Sequence, residues 1–222
     1  MKAVWLNKKN NTNLIVFFTG WSFDNNPFVS FQSNSYDVLY VYDYNAIECL
    51  DDFKLFNKYE NKILMTWSMG VFTAFQLKDI FKSFNKKIAI NGTITPVNNK
   101  YGIPVKIFEL TLKYAKKSLE GNFYQNIFLT TEEYKKYCNN PNSRTIENRI
   151  SELENLYKTI KLSSSNDEKF YDTAIISQND KIIPAKNQLQ AHLKNNVKII
   201  EVPYGHHLFY NYTSWDEIVK IC

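Results

Sequence analysis

The feature that most constrains the fold is a series of short, almost continuously apolar runs separated by segments with helical spacing. Strands that are apolar at consecutive positions are buried on both faces, as in a parallel sheet covered by helices. The alternation therefore predicts an α/β protein with a mainly parallel sheet and helices on both of its faces. The runs are Ala3–Leu6, Leu14–Phe18, Tyr36–Tyr42, Lys62–Trp67, Lys87–Asn91, Thr173–Ser177 and Val197–Val202, of which the first two are predicted to form a hairpin.

One long segment, residues 97–170, interrupts this alternation. It has few β-branched runs and two extended helical patterns, Val105–Leu119 and Asn142–Leu162. It would lie above the edge formed by the carboxyl ends of the strands, where open α/β sheets bind their ligands. We therefore expect a core formed by residues 1–96 and 171–222, with residues 97–170 inserted as a helical lid. This segment is called the insertion below.

Composition excludes several classes of protein and partner. The 222 residues carry a net charge of +5, which fits either a solvated lysine-rich surface or an anionic partner. No zinc-finger spacing or RNA-binding signature is present, so nucleic acid is not expected as a partner. The three cysteines form no CxxC pair or disulfide framework, and the N-terminus lacks the apolar core of a secretory signal. The expectation is a cytoplasmic protein without a membrane partner.

The pentapeptide Thr66-Trp67-Ser68-Met69-Gly70 lies between an apolar strand and a helical segment. A serine nucleophile on such a turn needs small residues two positions before and after it, and Gly70 meets the second requirement. Thr66 replaces the glycine usual at the first position. The pattern also fits a serine that only caps the following helix, and the pentapeptide alone does not separate the two interpretations.

A second short motif, Thr19-Gly20-Trp21, follows the LIVFF strand. In a serine hydrolase the backbone N–H of Trp21 would point at the developing oxyanion, and the N–H of Met69 would be the other donor. The alternative is a plain turn at the end of a strand, which Thr-Gly often marks.

Asp180 and His206 also follow predicted strands. Asp180 precedes an Ile-Ile-Pro run and could orient an imidazole, although an Asn-Asp pair also suits a simple turn. Among the three histidines, His206 follows Gly205 and is the expected general base. His207 is expected to pack or face solvent, and His192 to lie on the surface of a polar helix. No metal-ligand spacing surrounds them, so no metal is expected.

The order of these residues strengthens the hypothesis. Ser68, Asp180 and His206 occur in the Ser…Asp…His sequence of α/β-hydrolases, each after a predicted strand. Four weak signals in this order favour an α/β-hydrolase fold with a catalytic triad.

The segments FFTGWSFD, TWSMGVFTA and HHLFYNYTSW resemble the BioG-type pimeloyl-acyl carrier protein methyl ester esterases. The resemblance extends over nearly the whole chain and is weakest in the insertion. It implies a cytoplasmic serine carboxylesterase of biotin synthesis that needs no cofactor and acts on an acyl carrier protein bearing a methylated pimeloyl chain. It assigns Ser68 as nucleophile, Asp180 as acid, His206 as base, and Trp21 and Met69 as oxyanion donors.

The implied substrate predicts two further groups of residues. An apolar tunnel for the acyl chain would be lined by Phe23, Trp67, Met69, Ile107, Phe108 and Leu110. An acidic carrier protein would dock on basic side chains of the insertion, where ordinary helix solvation is the alternative. The chain's only two arginines, Arg144 and Arg149, fall in one predicted helix there, and the accompanying lysines are Lys113, Lys116 and Lys117.

Two other functions remain open. A general short-chain esterase or thioesterase of the same fold would have the same turn and triad. A catalytically inactive hydrolase fold used as a binding module is the second alternative, and the intact serine, aspartate and histidine disfavour it.

Overall fold

The computed structural model describes residues 1–163 and 168–222. Within them, seven strands form one sheet in the order β1-β3-β2-β4-β5-β6-β7, and every pairing except β1 with β3 is parallel. The mainly parallel sheet predicted from the sequence is confirmed. The strands are β1 (Lys2–Asn7), β2 (Asn13–Phe18), β3 (Asp37–Tyr42), β4 (Asn61–Trp67), β5 (Lys86–Ile90), β6 (Thr173–Ser177) and β7 (Lys198–Val202).

The central strands are buried on both faces, as their uninterrupted apolar sequences require. All five residues from Leu14 to Phe18 in β2 are 0% exposed, as are Leu64 and Met65 in β4. β2 pairs with β3 on one side and β4 on the other, so no edge of this apolar strand is left for water. Burial of this kind supplies most of the free energy that holds the domain together.

The hairpin predicted for the first two strands is wrong. β1 pairs with β3, and β3 separates it from β2. The reason lies in the polar connection between β1 and β2. Asp37, at the start of β3, accepts hydrogen bonds from the backbone N–H groups of Lys9 (2.8 Å) and Asn11 (3.2 Å), so this connection wraps around the end of β3.

Helices follow most strands, and a group of short helices occupies the insertion. The segment Val105–Leu119, which is predicted as one helix, forms two helices that are separated at Tyr114. No helix among the described residues is long and apolar enough to cross a membrane. The α-helices are α1 (Met69–Gln76), α2 (Val105–Lys113), α3 (Ala115–Glu120), α4 (Phe123–Ile127), α5 (Thr131–Asn139), α6 (Ile146–Leu162), α7 (Ala185–Lys194) and α8 (Trp215–Ile221).

The insertion contributes α2 to α6, which all lie between β5 and β6. Its described residues add no strand to the sheet, and residues 164–167 of the predicted range lie outside the described residues. That it is a separate lid stays a prediction, as do its limits at residues 97 and 170.

The turn between β4 and α1 is packed too tightly for any residue but glycine at position 70. A Cβ atom on Gly70 would lie 2.3 Å from the carbonyl oxygen of Phe18 and 2.5 Å from that of Thr19. Neither contact can be relieved by rotating a side chain, because both oxygens belong to the backbone of β2 and the residue that follows it. The start of α1 is therefore pressed directly against the end of β2.

We expect Gly70→Ala to lower the free energy of unfolding by about 1–3 kcal/mol or more, the usual cost of overpacking a rigid core. Urea denaturation of the two proteins measures this difference. Gly121→Ala is the control, because it lies in an exposed turn where a Cβ would meet one carbonyl oxygen at 3.0 Å. A Gly70→Ala protein as stable as the control would show that α1 does not approach β2 this closely.

Candidate active site

Ser68 is held in a strained turn between β4 and α1. Its backbone has φ 56° and ψ −123°, which is unfavourable for a residue with a Cβ atom and typically costs about 1–3 kcal/mol. The Ser68 N–H donates to the carbonyl of Ile90 at 2.9 Å, which fixes the turn to β5. The side chain makes no capping bond to α1, so the helix-cap interpretation of the pentapeptide is wrong.

The side chain of Ser68 instead begins a chain of hydrogen bonds. His206 Nε2 lies 2.9 Å from Ser68 Oγ, and His206 Nδ1 lies 2.8 Å from Asp180 Oδ2. The imidazole is 3% exposed and the Asp180 side chain 0%, so the chain is shielded from water. Such an arrangement can move a proton from a serine hydroxyl to an imidazole that a carboxylate orients. The structure thus brings together all three residues predicted as the triad.

Both carboxylate oxygens of Asp180 accept hydrogen bonds, which fix the orientation of its side chain. Its Oδ1 accepts from the backbone N–H groups of Ile182 (2.8 Å) and Ile183 (2.9 Å), and its Oδ2 also accepts from Gln188 Nε2 at 2.9 Å. The sequence interpretation missed Gln188. Its position in the helix after the Ile-Ile-Pro run was the available signal, since the first turns of that helix must lie beside Asp180.

The backbone of His206 is also held in place. Its carbonyl oxygen accepts from Trp67 Nε1 and Asn91 Nδ2, each at 2.8 Å. Asn91, at the end of β5, also accepts from the Ser177 N–H at 2.7 Å and thereby joins β6 to the histidine loop. The sequence interpretation assigned no role to Asn91, because a single asparagine at a strand end is common. Its backbone φ of 44° marks it as a special position in the structure.

The other two histidines are buried and uncharged. The pKa of His207 is lowered to about 3, mainly by burial and to a smaller extent by the neighbouring His206. Neither ring nitrogen of His207 has a hydrogen-bond partner. Its ring packs against those of Phe23, Phe28, Trp67, Phe128, Phe209 and Tyr210.

The surface position expected for His192 is wrong. It is 5% exposed and its Nε2 lies 2.9 Å from the carbonyl oxygen of Gly92, while burial lowers its pKa to about 4. The neighbouring residues in α7 are mostly polar, so the sequence does not show that one face of this helix packs against the sheet. Its ring contacts the backbone of Gly92 and none of the three triad side chains, so it is given no chemical role.

A cavity of about 370 Å³ opens beside Ser68 and His206. Its walls are mainly apolar and come from both the core and the insertion. Phe23, Trp67, Met69, Ile107 and Phe108 all line it, as the sequence predicts for the acyl tunnel, whereas Leu110 does not and is 51% exposed. The remaining lining residues are Gly20, Trp21, Ile103, Thr111, Ser118, Phe123, Asn126, Ile127, Leu153, Lys181 and Ile182.

The two residues expected to donate to an oxyanion lie at this cavity. Trp21 belongs to residues 20–24, called the Trp21 loop below, and Met69 begins α1. The loop runs close to the serine, since a Cβ added to Gly20 would come within 3.1 Å of Ser68 Cβ. Neither the Trp21 nor the Met69 backbone N–H donates to an acceptor within the described residues. Both groups thus have no internal partner among these residues, as donors to an oxyanion require.

The two arginines predicted to dock a carrier protein are buried, and that role is wrong. Arg144 precedes α6, and its 6% exposed side chain forms ion pairs with Asp43 (3.2 Å) and Glu152 (2.8 Å). Arg149 is 8% exposed and donates to Tyr124 Oη at 2.7 Å. The Arg144 side chain connects the insertion to the core and the Arg149 side chain connects two parts of the insertion, so neither is available to a partner.

The predicted docking lysines have the opposite environment. Lys113, Lys116 and Lys117 are exposed, at the end of α2 and in α3. Thr111 of α2 and Ser118 of α3 line the cavity, so the helices that carry these lysines also form part of its wall. No cluster of metal-ligating side chains occurs among the residues that the structure describes.

The sequence matches one family model over residues 1–218, and that family is described as pimeloyl-ACP methyl esterase BioG. A Bacteroides fragilis protein named malonyl-[acyl-carrier protein] O-methyltransferase is 32% identical over 179 residues. The match covers 80% of this chain and 36% of that protein, so the chain spans little more than a third of the relative's length.

Solved structures agree with this match. The crystal structure of selenomethionine BioG from Haemophilus influenzae has a TM-score of 0.85 and 25% identity, covering 98% of this chain and 99% of that one. An epoxide hydrolase from Bacillus megaterium has a TM-score of 0.60 at 11% identity, covering 99% and 94%. The second likeness shows the fold alone, and the two together confirm the predicted α/β-hydrolase fold.

We expect His206→Gln to abolish ester hydrolysis and His207→Phe to preserve it. Phenylalanine keeps an aromatic ring among the rings around His207 and removes two buried nitrogens that have no partner. Initial rates with p-nitrophenyl butyrate, and circular dichroism as a folding check, measure both. Loss of activity in a folded His207→Phe protein would contradict the assignment of the base to His206.

The same variant has an expected effect on acid stability. A histidine that is neutral when folded favours the folded state fully above its unfolded pKa of 6.5, and this contribution is lost as the pH falls toward the folded pKa. For His207 the affected window runs from 6.5 down to about 3. In that window, His207→Phe should reduce the pH slope of the unfolding free energy by up to about 1.4 kcal/mol per pH unit. An unchanged slope would mean that His207 is protonated in the folded protein.

Proposed function

Because the chain belongs to the BioG family of pimeloyl-ACP methyl esterases, we propose that it is a cytoplasmic serine esterase acting on that substrate. It would hydrolyse the methyl ester of a pimeloyl chain carried by acyl carrier protein. The observation that carries the proposal is the hydrogen-bond chain Ser68–His206–Asp180 at the wall of an apolar cavity. Family membership supplies the ester and the carrier, and the geometry supports the serine mechanism.

In the first half of the proposed reaction, Ser68 Oγ attacks the ester carbonyl while His206 Nε2 takes its proton. His206 then gives that proton to the leaving methoxide, so methanol departs and an acyl-enzyme remains. In the second half, His206 takes a proton from water as its oxygen attacks the acyl carbon. The proton returns to Ser68 Oγ, and the product is a carboxylic acid, which loses its own proton to solvent at neutral pH. Asp180 stays ionised and stabilises the imidazolium in both halves.

The backbone N–H groups of Trp21 and Met69 would bind the carbonyl oxygen as it becomes negative. Donors of this kind act because they are already in place when the charge develops. Removing a single one from a serine hydrolase costs roughly 10²–10³ in kcat.

The cavity suits the methylated pimeloyl chain. Methylation removes the distal charge of the diacid, so the chain and ester can leave water for walls formed by Phe23, Trp67 and Phe108. Each buried methylene contributes about 0.8 kcal/mol, which favours a medium-length chain over an acetyl group. One relative's name describes methylation of a malonyl group on the same carrier. A methyl ester formed on a carrier-bound diacid is the kind of group that this enzyme would remove.

The exposed lysines of α2 and α3 are the proposed docking site for the carrier protein. The resemblance implies an acidic carrier, and Lys113, Lys116 and Lys117 present positive charge on helices that form part of the wall of the cavity from which the acyl chain must emerge. Attraction between exposed charges mainly raises the rate of association and weakens with salt.

We expect Ser68→Ala to lower kcat by about 10⁴–10⁶ without unfolding the protein, since the triad acts as a unit. The assay follows methanol release and free thiol release from pimeloyl-carrier-protein methyl ester. Wild-type protein should release methanol and leave the thioester intact. Release of free thiol, or a clear preference for acetyl and butyryl esters, would instead support a thioesterase or a general short-chain esterase.

We expect reversal of Lys113, Lys116 and Lys117 to Glu to raise KM for the carrier-bound ester and leave kcat/KM for p-nitrophenyl butyrate unchanged. The control reverses Lys54, Lys58 and Lys82, which are exposed residues. Lys58 and Lys82 come shortly before β4 and β5, so they lie at the amino-terminal ends of the strands, opposite the site. Equal effects of the two triple variants on the carrier-bound ester would contradict the proposed docking site. The difference between them should decrease as salt is raised to about 1 M.

A further inference from the structure

The insertion contacts the Trp21 loop at every residue from Trp21 to Asp24. The contacts are polar and mostly buried, and they come from two parts of the insertion, α4 and residues 143–152. They are Trp21 Nε1 to the Arg149 carbonyl (2.7 Å), Ser22 N–H to Glu152 Oε2 (3.0 Å), Ser22 Oγ with Tyr124 Oη (3.0 Å), Arg144 Nη1 to the Phe23 carbonyl (3.3 Å), and the Ser143 N–H to Asp24 Oδ2 (2.8 Å).

Ser22 is the point at which this loop is strained. Its φ of 72° lies in the left-handed region, which a residue with a Cβ atom adopts only when its surroundings compensate for about 1–2 kcal/mol. The hydrogen bond from the Ser22 N–H to Glu152 Oε2 is such a compensation. Because the Trp21 and Ser22 backbones are consecutive, this bond also limits the direction in which the Trp21 N–H points.

Glu152 is completely buried and uses both oxygens. Oε1 accepts from the Tyr44 N–H at 2.7 Å, and Oε2 accepts from Ser22 and from Arg144 Nη1 at 2.8 Å. Tyr44 follows β3, and its hydroxyl donates to the carbonyl of Thr19 at 2.7 Å. The Glu152 carboxylate of α6 therefore connects two segments: the Trp21 loop, through the Ser22 N–H, and the residues that follow β3, through the Tyr44 N–H.

We propose that Glu152 is a positioning residue for the reaction, which holds the Trp21 N–H toward the oxygen that becomes negative at Ser68. The proposal rests on the serine-esterase chemistry proposed above, but not on the identity of the acyl substrate. In this proposal, the part of the insertion that packs on the core contributes to catalysis. Loss of Glu152 should raise the energy of the tetrahedral intermediate more than that of bound substrate.

The test compares substrate turnover with binding of an alkyl trifluoromethyl ketone. Ser68 Oγ adds to the carbonyl carbon of this inhibitor, the proton passes to His206, and the carbonyl oxygen becomes an oxyanion that needs the Trp21 N–H. Glu152→Gln places an amide NH₂ either against the Tyr44 N–H or against both the Ser22 N–H and Arg144 Nη1, so Ser22 or Tyr44 loses its acceptor. We expect kcat for p-nitrophenyl butyrate and inhibitor affinity to fall together by about tenfold to a hundredfold. KM should change little.

The control is Asp37→Asn, another buried carboxylate that accepts backbone N–H groups, at the opposite edge of the sheet. It should lower Tm without changing the inhibitor affinity. A folded Glu152→Gln protein whose inhibitor affinity matches that of Asp37→Asn would overturn the positioning role. A wild-type protein that does not bind the inhibitor would instead overturn the serine chemistry.

A second variant addresses folding. Arg144→Met combined with Glu152→Leu removes both charges, and replacing a buried ion pair with apolar residues often preserves stability. Asp43 keeps Lys2 (2.9 Å) and Asn45 as partners. This double variant should fold and still show reduced kcat and inhibitor affinity. Full activity in it would overturn the proposal.

Hydrogen exchange in the wild-type protein gives a test that needs no variant. The Ser22 amide should exchange slowly, because its N–H donates a hydrogen bond to a buried carboxylate. Exchange at the rate of an unprotected surface amide would overturn the proposal as well.

Discussion

The close approach of α1 to β2 is the constraint on which the rest of the site depends. Gly70 leaves no room for a side chain beside the carbonyl oxygens of Phe18 and Thr19, so the turn that carries Ser68 cannot relax away from the sheet. Gly92 holds the turn from the other side, since a Cβ there would lie 2.4 Å from the Ser68 carbonyl oxygen. With the turn confined on both sides, the strained backbone of Ser68 persists and its side chain is directed at His206.

Much of the fold and of the triad could be predicted because a parallel sheet converts order along the chain into position in space. Ser68, Asp180 and His206 each come after an apolar strand, and the carboxyl ends of parallel strands meet at one edge. The pairing of β1 with β3, at one side of the sheet, could not be predicted in this way. Two apolar runs with a polar turn between them suit a hairpin, and the preference of that turn for β3 depends on Asp37, which lies about 25 residues further along the chain.

The residues that support the triad are harder to identify from the sequence, because neither stands in a recognisable motif. Asn91 acts on His206 across 115 residues, whereas Gln188 lies only eight residues from Asp180 and follows the Ile-Ile-Pro run. Arg144 and Arg149 misled because arginine is usually exposed. The carboxylates that pair with Arg144 come from Asp43 in the core and from Glu152 in the next helix, and the sequence does not show that all three meet in the interior.

These buried charges also bear on how the insertion can move. Opening α6 away from the core would separate Arg144 from Asp43 and leave the Glu152 carboxylate without the Ser22 and Tyr44 N–H groups. These buried contacts would all have to be exchanged for contacts with water, so they oppose the opening of this part of the insertion. Among the residues that the structure describes, α2 forms no buried ion pair, and it exposes Ile107 and Leu110 by about half. The cavity wall is therefore built from two kinds of contact: α6 is tied to the core through buried charges, and α2 is not held in this way.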